Sequence, residues 1–183
     1  MILRKLAQIA LKLLGWKCEA LTPDFDKCVL LVAPHTSNWD FLMGKLGYAA
    51  IGRNANFVIK NEWMKGPLGF IFKILGGIGV DRSKASRFTD VIAEIYQTRD
   101  KFSLAITPEG TRKINPKWKK GFYHIALKAQ VPIVLVVLDY KKKYMALFDV
   151  FYPTGDEHAD IKAIQQKYKG ATGKYPEQFS IGE

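Results

Sequence analysis

Residues 28–33 read Cys-Val-Leu-Leu-Val-Ala, six apolar residues with no polar alternation, closed by Pro34. A run this short, rich in aliphatic and β-branched residues and ended by proline, is a strand. With no polar position along it, both of its faces must be covered, so it belongs inside a sheet. The same pattern returns at residues 57–60, 78–80, 102–106, 131–138 and 144–151. Segments with helical signals lie between. Residues 41–51 predict a buried helix stopped by Gly52 and Asn54. A helix capped by Ser83 or Ser86 runs through Arg99, with Phe88, Val91, Ile92 and Ile95 on its apolar side. Residues 121–129 predict another helix, and residues 159–169 a polar one stopped at Gly170. Residues 62–75 are apolar and aromatic but interrupted by Gly66, Pro67 and Gly69, which predicts a short or broken helix. The tail from Ala171 is rich in turn residues and is expected to be peripheral.

This alternation predicts an α/β fold with a mostly parallel or mixed central sheet flanked by helices. At 183 residues the chain, 1–183, reads as a single domain with room for a proper core.

The charge balance narrows the partners. There are 28 Lys and Arg against 17 Asp and Glu, a formal +11. Such a surplus favours nucleic acid, an anionic membrane surface or a phosphorylated substrate. No nucleic-acid motif and no aromatic-studded basic strand is present, so nucleic acid is not an expected partner. Metal chemistry is not indicated either: His35, His124 and His158 are scattered, and Cys18 and Cys28 form no ligand cluster. Gly76-Gly77-Ile78-Gly79 lacks what a phosphate-binding or dinucleotide loop requires.

Residues 1–17, MILRKLAQIALKLLGWK, place Arg4, Lys5, Gln8 and Lys12 within one arc of about 100° on a helical wheel, and most of the rest is apolar. Lys12 interrupts the apolar run too early for a spanning segment. The pattern predicts an N-terminal amphipathic helix. It is expected to lie in a membrane interface with its cations near lipid phosphates, or to pack on the protein's own core.

The strand at 28–33 runs directly into Pro34-His35-Thr36-Ser37-Asn38-Trp39-Asp40. Ser37 is a good N-cap, with Asp40 three residues on as in a capping box. His35 then sits at the mouth of a strand and Asp40 in the first turn of the following helix. Across such a turn, although not along one helix, the two side chains can meet. Asp40 can hold one ring nitrogen of His35 and leave the other to take a proton from a substrate hydroxyl. The same spacing also suits a capping Asp40 beside an ordinary turn histidine.

Two more strand ends carry polar groups: Asp81-Arg82 after residues 78–80, and Thr107-Pro108-Glu109-Gly110-Thr111-Arg112 after residues 102–106. If all three open on one sheet edge they form one pocket. There Arg82 and Arg112 can clamp a phosphate. Glu109 can orient a hydroxyl or hold an arginine, and Gly110 can bring a backbone amide close to a ligand.

These motifs resemble those of the glycerolipid acyltransferases typified by 1-acylglycerol-3-phosphate (lysophosphatidate) acyltransferase. His35 to Asp40 is similar to that family's His-x4-Asp motif, and Gly79-Val80-Asp81-Arg82 to its second. Thr107-Pro108-Glu109-Gly110-Thr111-Arg112 is similar to its third, and Val131-Pro132-Ile133-Val134 to its fourth. The resemblance covers residues 28–138. Pro34, Thr107 and Leu135 depart from the usual pattern, and none of them removes a reacting group. The resemblance implies His35 as general base, Asp40 as its orienting partner, and Arg82, Glu109, Gly110, Thr111 and Arg112 at the acceptor. It also implies an acyl thioester donor on coenzyme A or acyl carrier protein, a lysophospholipid acceptor, no bound cofactor or metal, and a peripheral place on the cytoplasmic face of the cell membrane in phospholipid biosynthesis. The other reading of the basic charge is a non-catalytic module that binds anionic lipid or nucleic acid.

Overall fold

A computed structural model describes residues 2–80 and 85–182. Asp81, Arg82 and Ser83 lie outside them. Helix α1 (Ile2–Leu13) leads into strand β1 (Lys17–Ala20) and then β2 (Lys27–Ala33). Helix α2 (Trp39–Ile51) and strand β3 (Asn56–Lys60) follow. A 3-10 turn (Asn61–Met64) and helix α3 (Pro67–Ile74) realise the broken helix expected there, and strand β4 (Gly77–Val80) comes next. The remaining elements are α4 (Ala85–Thr98), β5 (Phe102–Ile106), α5 (Gly121–Ala129), β6 (Ile133–Asp139), β7 (Tyr144–Phe151) and α6 (Glu157–Lys167).

The strands form one seven-stranded mixed sheet in the order β1-β7-β6-β2-β5-β3-β4. β2 lies at its centre, parallel to β5 on one side and β6 on the other, with Leu31 opposite Ile106 and Ala33 opposite Val137. β3 and β4 continue in the same direction, and only β7 is antiparallel to its neighbour β6. The C-terminal ends of β2, β4, β5 and β6 therefore share one edge.

Alternation along the central strands divides the core. Val29, Leu31, Ile133 and Leu135 pack under α4, α5 and α6, against Ile92, Phe122, Ile125 and Ile164. Cys28, Leu30, Val134 and Val136 face the other way, onto α1 and α2 through Leu11, Met43 and Tyr48. Both faces are covered, as the unbroken apolar runs require.

Two expectations need correction. Lys17, read as the last residue of the N-terminal helix, opens a strand that runs to Ala20: Gly15 turns the chain with φ +75°, and β1 pairs in parallel with β7. Four residues of mixed polarity at a sheet edge carry too little periodicity to announce themselves.

The tail from Ala171 is not peripheral. Thr172 O accepts the Tyr140 N–H at 2.8 Å, Thr36 Oγ1 accepts the Tyr175 N–H at 3.2 Å, and Trp118 Nε1 donates to Ser180 O at 2.9 Å. Phe179 and Ile181 pack on the core.

Helix α1 packs on α2 through Ala7 and Leu11 and through part of its polar side. Arg4 Nε and Gln8 Nε2 both donate to Ala50 O, at 3.2 and 2.9 Å. This carbonyl belongs to the last turn of α2, where carbonyls lack helical partners. Leu3, Leu6, Ile9 and Leu13 are left facing outward, each more than half exposed, while Ala7 and Leu11 are buried. Among the described residues no helix is long and apolar enough to cross a membrane.

Candidate active site

Helix α2 starts at Trp39, with Asn38 at the cap position and no side-chain capping bond. Ser37 Oγ accepts the Trp39 N–H instead, at 3.2 Å. One arm of the expected capping box is present: Asp40 Oδ2 accepts the Ser37 N–H at 2.8 Å, and the Thr36 N–H at the same distance. Those two amides hold the carboxylate against the strand-to-helix turn. His35 Nδ1 lies 3.1 Å from the same oxygen.

Asp40 is only 4 % exposed. Burial pushes its carboxyl up, but the bonds from His35, Tyr140 and the Ser37 amide outweigh that and hold it below the usual carboxylate range. An ionised Asp40 accepts, so Nδ1 is the donor, and in the neutral ring Nε2 is the nitrogen with the free lone pair. The pair thus has the arrangement of a general base and its orienting carboxylate.

Glu109 sits behind this turn. Its Oε1 accepts the His35 backbone N–H at 2.8 Å, and Oε2 has no partner among the described residues. Burial pushes its carboxyl up to about 7, only partly offset by the backbone amides that reach it, with the nearby Asp40 charge adding to the rise. Glu109 is 1 % exposed and does not line the cavity. It therefore supports His35 from behind, rather than facing a substrate hydroxyl or holding an arginine as the sequence suggested.

His35, Asp40, Gly110, Thr111 and Arg112 all line one cavity of about 580 Å³, which continues between α2 and the sheet along Val32, Phe41, Phe57, Val136 and Met145. The volume suits a substrate-sized ligand, with polar groups gathered at one end and apolar walls beyond. Gly110 takes φ +64°, and its N–H is spent on Thr107 O at 3.2 Å within the turn. The glycine shapes the loop, and the amide expected to meet a ligand is already engaged. Thr111 Oγ1 accepts the Lys113 N–H at 3.2 Å. Arg112 Nη1 donates to Asn38 Oδ1, which explains why Asn38 does not cap its own helix.

The family model named Acyltransferase matches residues 19–139, well over half of the chain. The chain belongs to the acyltransferase family. Within the acyltransferase family it is similar to human 1-acyl-sn-glycerol-3-phosphate acyltransferase beta, at 33% identity over 49% of this chain and 34% of that protein. It is also similar to the 1-acyl-sn-glycerol-3-phosphate acyltransferase of Cocos nucifera, at 37% identity over 44% of this chain and 28% of that one. The chain thus spans about a third of the length of these relatives. A solved structure, the 1-acyl-sn-glycerophosphate (LPA) acyltransferase PlsC from Thermotoga maritima, shares the fold with TM-score 0.57 at 17% identity, covering 93% of this chain and 80% of that one.

Three cavity or site residues of this acyltransferase domain have no signal in the sequence. They are Asn38, Tyr140 and Lys45. Lys45 Nζ donates to Ala55 O at 2.9 Å and Leu75 O at 2.6 Å on the cavity wall, and burial lowers its pKa.

Proposed function

We propose that this chain moves a fatty acyl group from an acyl thioester to a hydroxyl of a lysophospholipid-type acceptor, 1-acylglycerol-3-phosphate first among them. The observation that carries the reading is the 3.1 Å approach of His35 Nδ1 to Asp40 Oδ2, on the wall of the cavity that Arg112 also lines. His35 Nε2 takes the proton of the acceptor hydroxyl as its oxygen attacks the thioester carbonyl. The tetrahedral intermediate then collapses and the C–S bond breaks. The thiolate leaves and takes the proton back from the imidazolium, so an ester and a free thiol result. Asp40 keeps the ring oriented and steadies its positive charge.

Arg112, held by Asn38, binds the acceptor phosphate, with Arg82 as its expected partner from the end of β4. Gly110 and Thr111 shape that end of the cavity, and Glu109 acts on it through the His35 backbone. The donor carrier is coenzyme A or acyl carrier protein. No bound cofactor or metal takes part. The protein works peripherally at an anionic membrane surface, on its cytoplasmic face where such thioesters are made. The outward Leu3, Leu6, Ile9 and Leu13 of α1 support this placement, as do the exposed Phe70 and Ile74 of α3.

Incubation with acyl thioesters on either carrier and a panel of lysolipids, read as free-thiol release, tests the reaction. His35→Ala is expected to lower turnover by roughly 10³-fold with an unchanged far-UV spectrum. Near-full turnover in that variant would overturn the mechanism. Salt-dependent binding without thiol release would favour the non-catalytic module.

A further inference from the structure

Asp40 Oδ2 is served from within its own turn, by the Thr36 and Ser37 amides and by His35. Its Oδ1 takes a bond from elsewhere in the chain. The Tyr140 hydroxyl donates to it at 2.7 Å, from a residue one hundred positions further on. Tyr140 opens the turn between β6 and β7, one residue beyond the stretch matched by the family model. Its ring meets Trp16 edge-on, with centroids 5.0 Å apart and planes at 88°. Its N–H is tied to Thr172 O at 2.8 Å. The phenol is therefore located from three sides: by the end of β6, by the C-terminal segment, and by the connection between α1 and β1.

We propose that Tyr140 is a positioning residue for the base, its hydroxyl completing the acceptor set of Asp40 and setting how much negative charge that carboxylate presents to His35. Trp16 holds the phenol at the angle this requires. The proposal rests on the reading of His35 as general base.

The physical argument concerns a buried carboxylate. Without Tyr140, Oδ1 keeps its charge but loses its donor, while the Thr36 and Ser37 amides still hold Oδ2 beside the imidazole, so the carboxylate presents more negative charge to His35. Burial and the Asp40 charge hold the Tyr140 hydroxyl well above the ordinary phenol range, so it stays a donor at every working pH. The other charged or titratable groups around the pair are Glu109 at the end of β5, Arg112 on Asn38, and Tyr175 from the C-terminal segment. Among the described residues none of these donates to Oδ1, so the Tyr140 bond is the one to remove.

Tyr140→Phe deletes the hydroxyl and leaves the ring against Trp16. In the full-length protein kcat is expected to fall about tenfold, with KM for donor and acceptor changing less than about twofold. The acid limb of kcat/KM is expected to move to higher pH, because a carboxylate with one donor fewer pulls harder on the imidazolium proton. In an Asp40→Asn background, Tyr140→Phe is expected to add no further loss. Trp16→Ala is expected to move kcat and the acid limb in the same direction, by less. An unmoved acid limb in Tyr140→Phe, even with a lowered melting temperature, would mean the hydroxyl is only structural and would overturn the proposal. So would independent, additive losses in the Asp40→Asn background. If instead His35→Ala retains turnover, the general-base reading itself fails, whatever Tyr140→Phe does.

Discussion

Glu109 Oε1 accepts the His35 backbone N–H at 2.8 Å, so the loop that leaves β5 sets the backbone of the residue that leaves β2. The two strands are parallel neighbours, and their ends meet at this bond. A buried carboxyl thereby controls where the imidazole starts, while Asp40 controls where it points.

This placement has a measurable cost at neutral pH. Glu109 is pushed up to about 7 from an ordinary 4.5 by burial, so the folded state holds its proton through a range in which the unfolded chain has lost it. Between those values folding binds protons, and the Glu109 contribution to stability falls as pH rises through about 7. Glu109→Gln keeps an oxygen for the His35 amide and removes the charge. Relative to the parent it is expected to gain stability between pH 5 and pH 8, by on the order of 2 kcal/mol. Melting temperatures of both proteins across that range check this, and parallel curves would refute it.

The Arg112–Asn38 bond predicts a binding effect separable from chemistry. Asn38→Ala leaves the His35–Asp40 pair untouched and frees the guanidinium. KM for a phosphorylated acceptor is expected to rise about tenfold, the worth of one charge-assisted hydrogen bond. The value of kcat is expected to stay within about twofold. Steady-state kinetics on acceptors with and without the phosphate check it, since only the phosphorylated acceptor should respond.

Gly173 lies against the His35–Asp40 turn. A Cβ there would stand 2.7 Å from both Cγ2 and Oγ1 of Thr36, whose amide donates to Asp40. Thr36 is buried and short, with little room to yield. Gly173→Ala is therefore expected to destabilise by about 1–3 kcal/mol and to lower kcat as well. Chemical denaturation together with turnover measures both. A neutral outcome would mean the C-terminal segment can shift without disturbing the site.

Helix α1 offers a contrast between its two sides. Leu6→Lys and Ile9→Lys alter exposed positions, and are expected to weaken binding to anionic vesicles at least about tenfold without lowering the melting temperature. Leu11→Ala removes a buried side chain, and is expected to cost about 2–4 kcal/mol. Vesicle sedimentation and thermal melting separate these effects. Unchanged vesicle binding in both lysine variants would remove α1 from the membrane contact.

Much of the scaffold was legible in the chain. The strands at Phe102–Ile106 and Tyr144–Phe151 and the helix at Gly121–Ala129 begin and end where periodicity and breakers place them. The meeting of His35 with Asp40 was legible too, because both partners belong to one short turn. The sequence by itself thus determined most of the strands and helices, β1 excepted, since neighbours along the chain encode those choices.

Tertiary structure alone decided the rest. The wheel of α1 shows two faces but not which one meets the protein. Arg4 and Gln8 reach Ala50 O and Leu11 is buried, while Leu3, Leu6, Ile9 and Leu13 stay exposed. Asn38 meets Arg112 only because another loop arrives beside it, and Tyr140 meets Asp40 only because β6 ends there. Bonds between residues so far apart in sequence depend on the packing of whole strands, and no local pattern of residues records them.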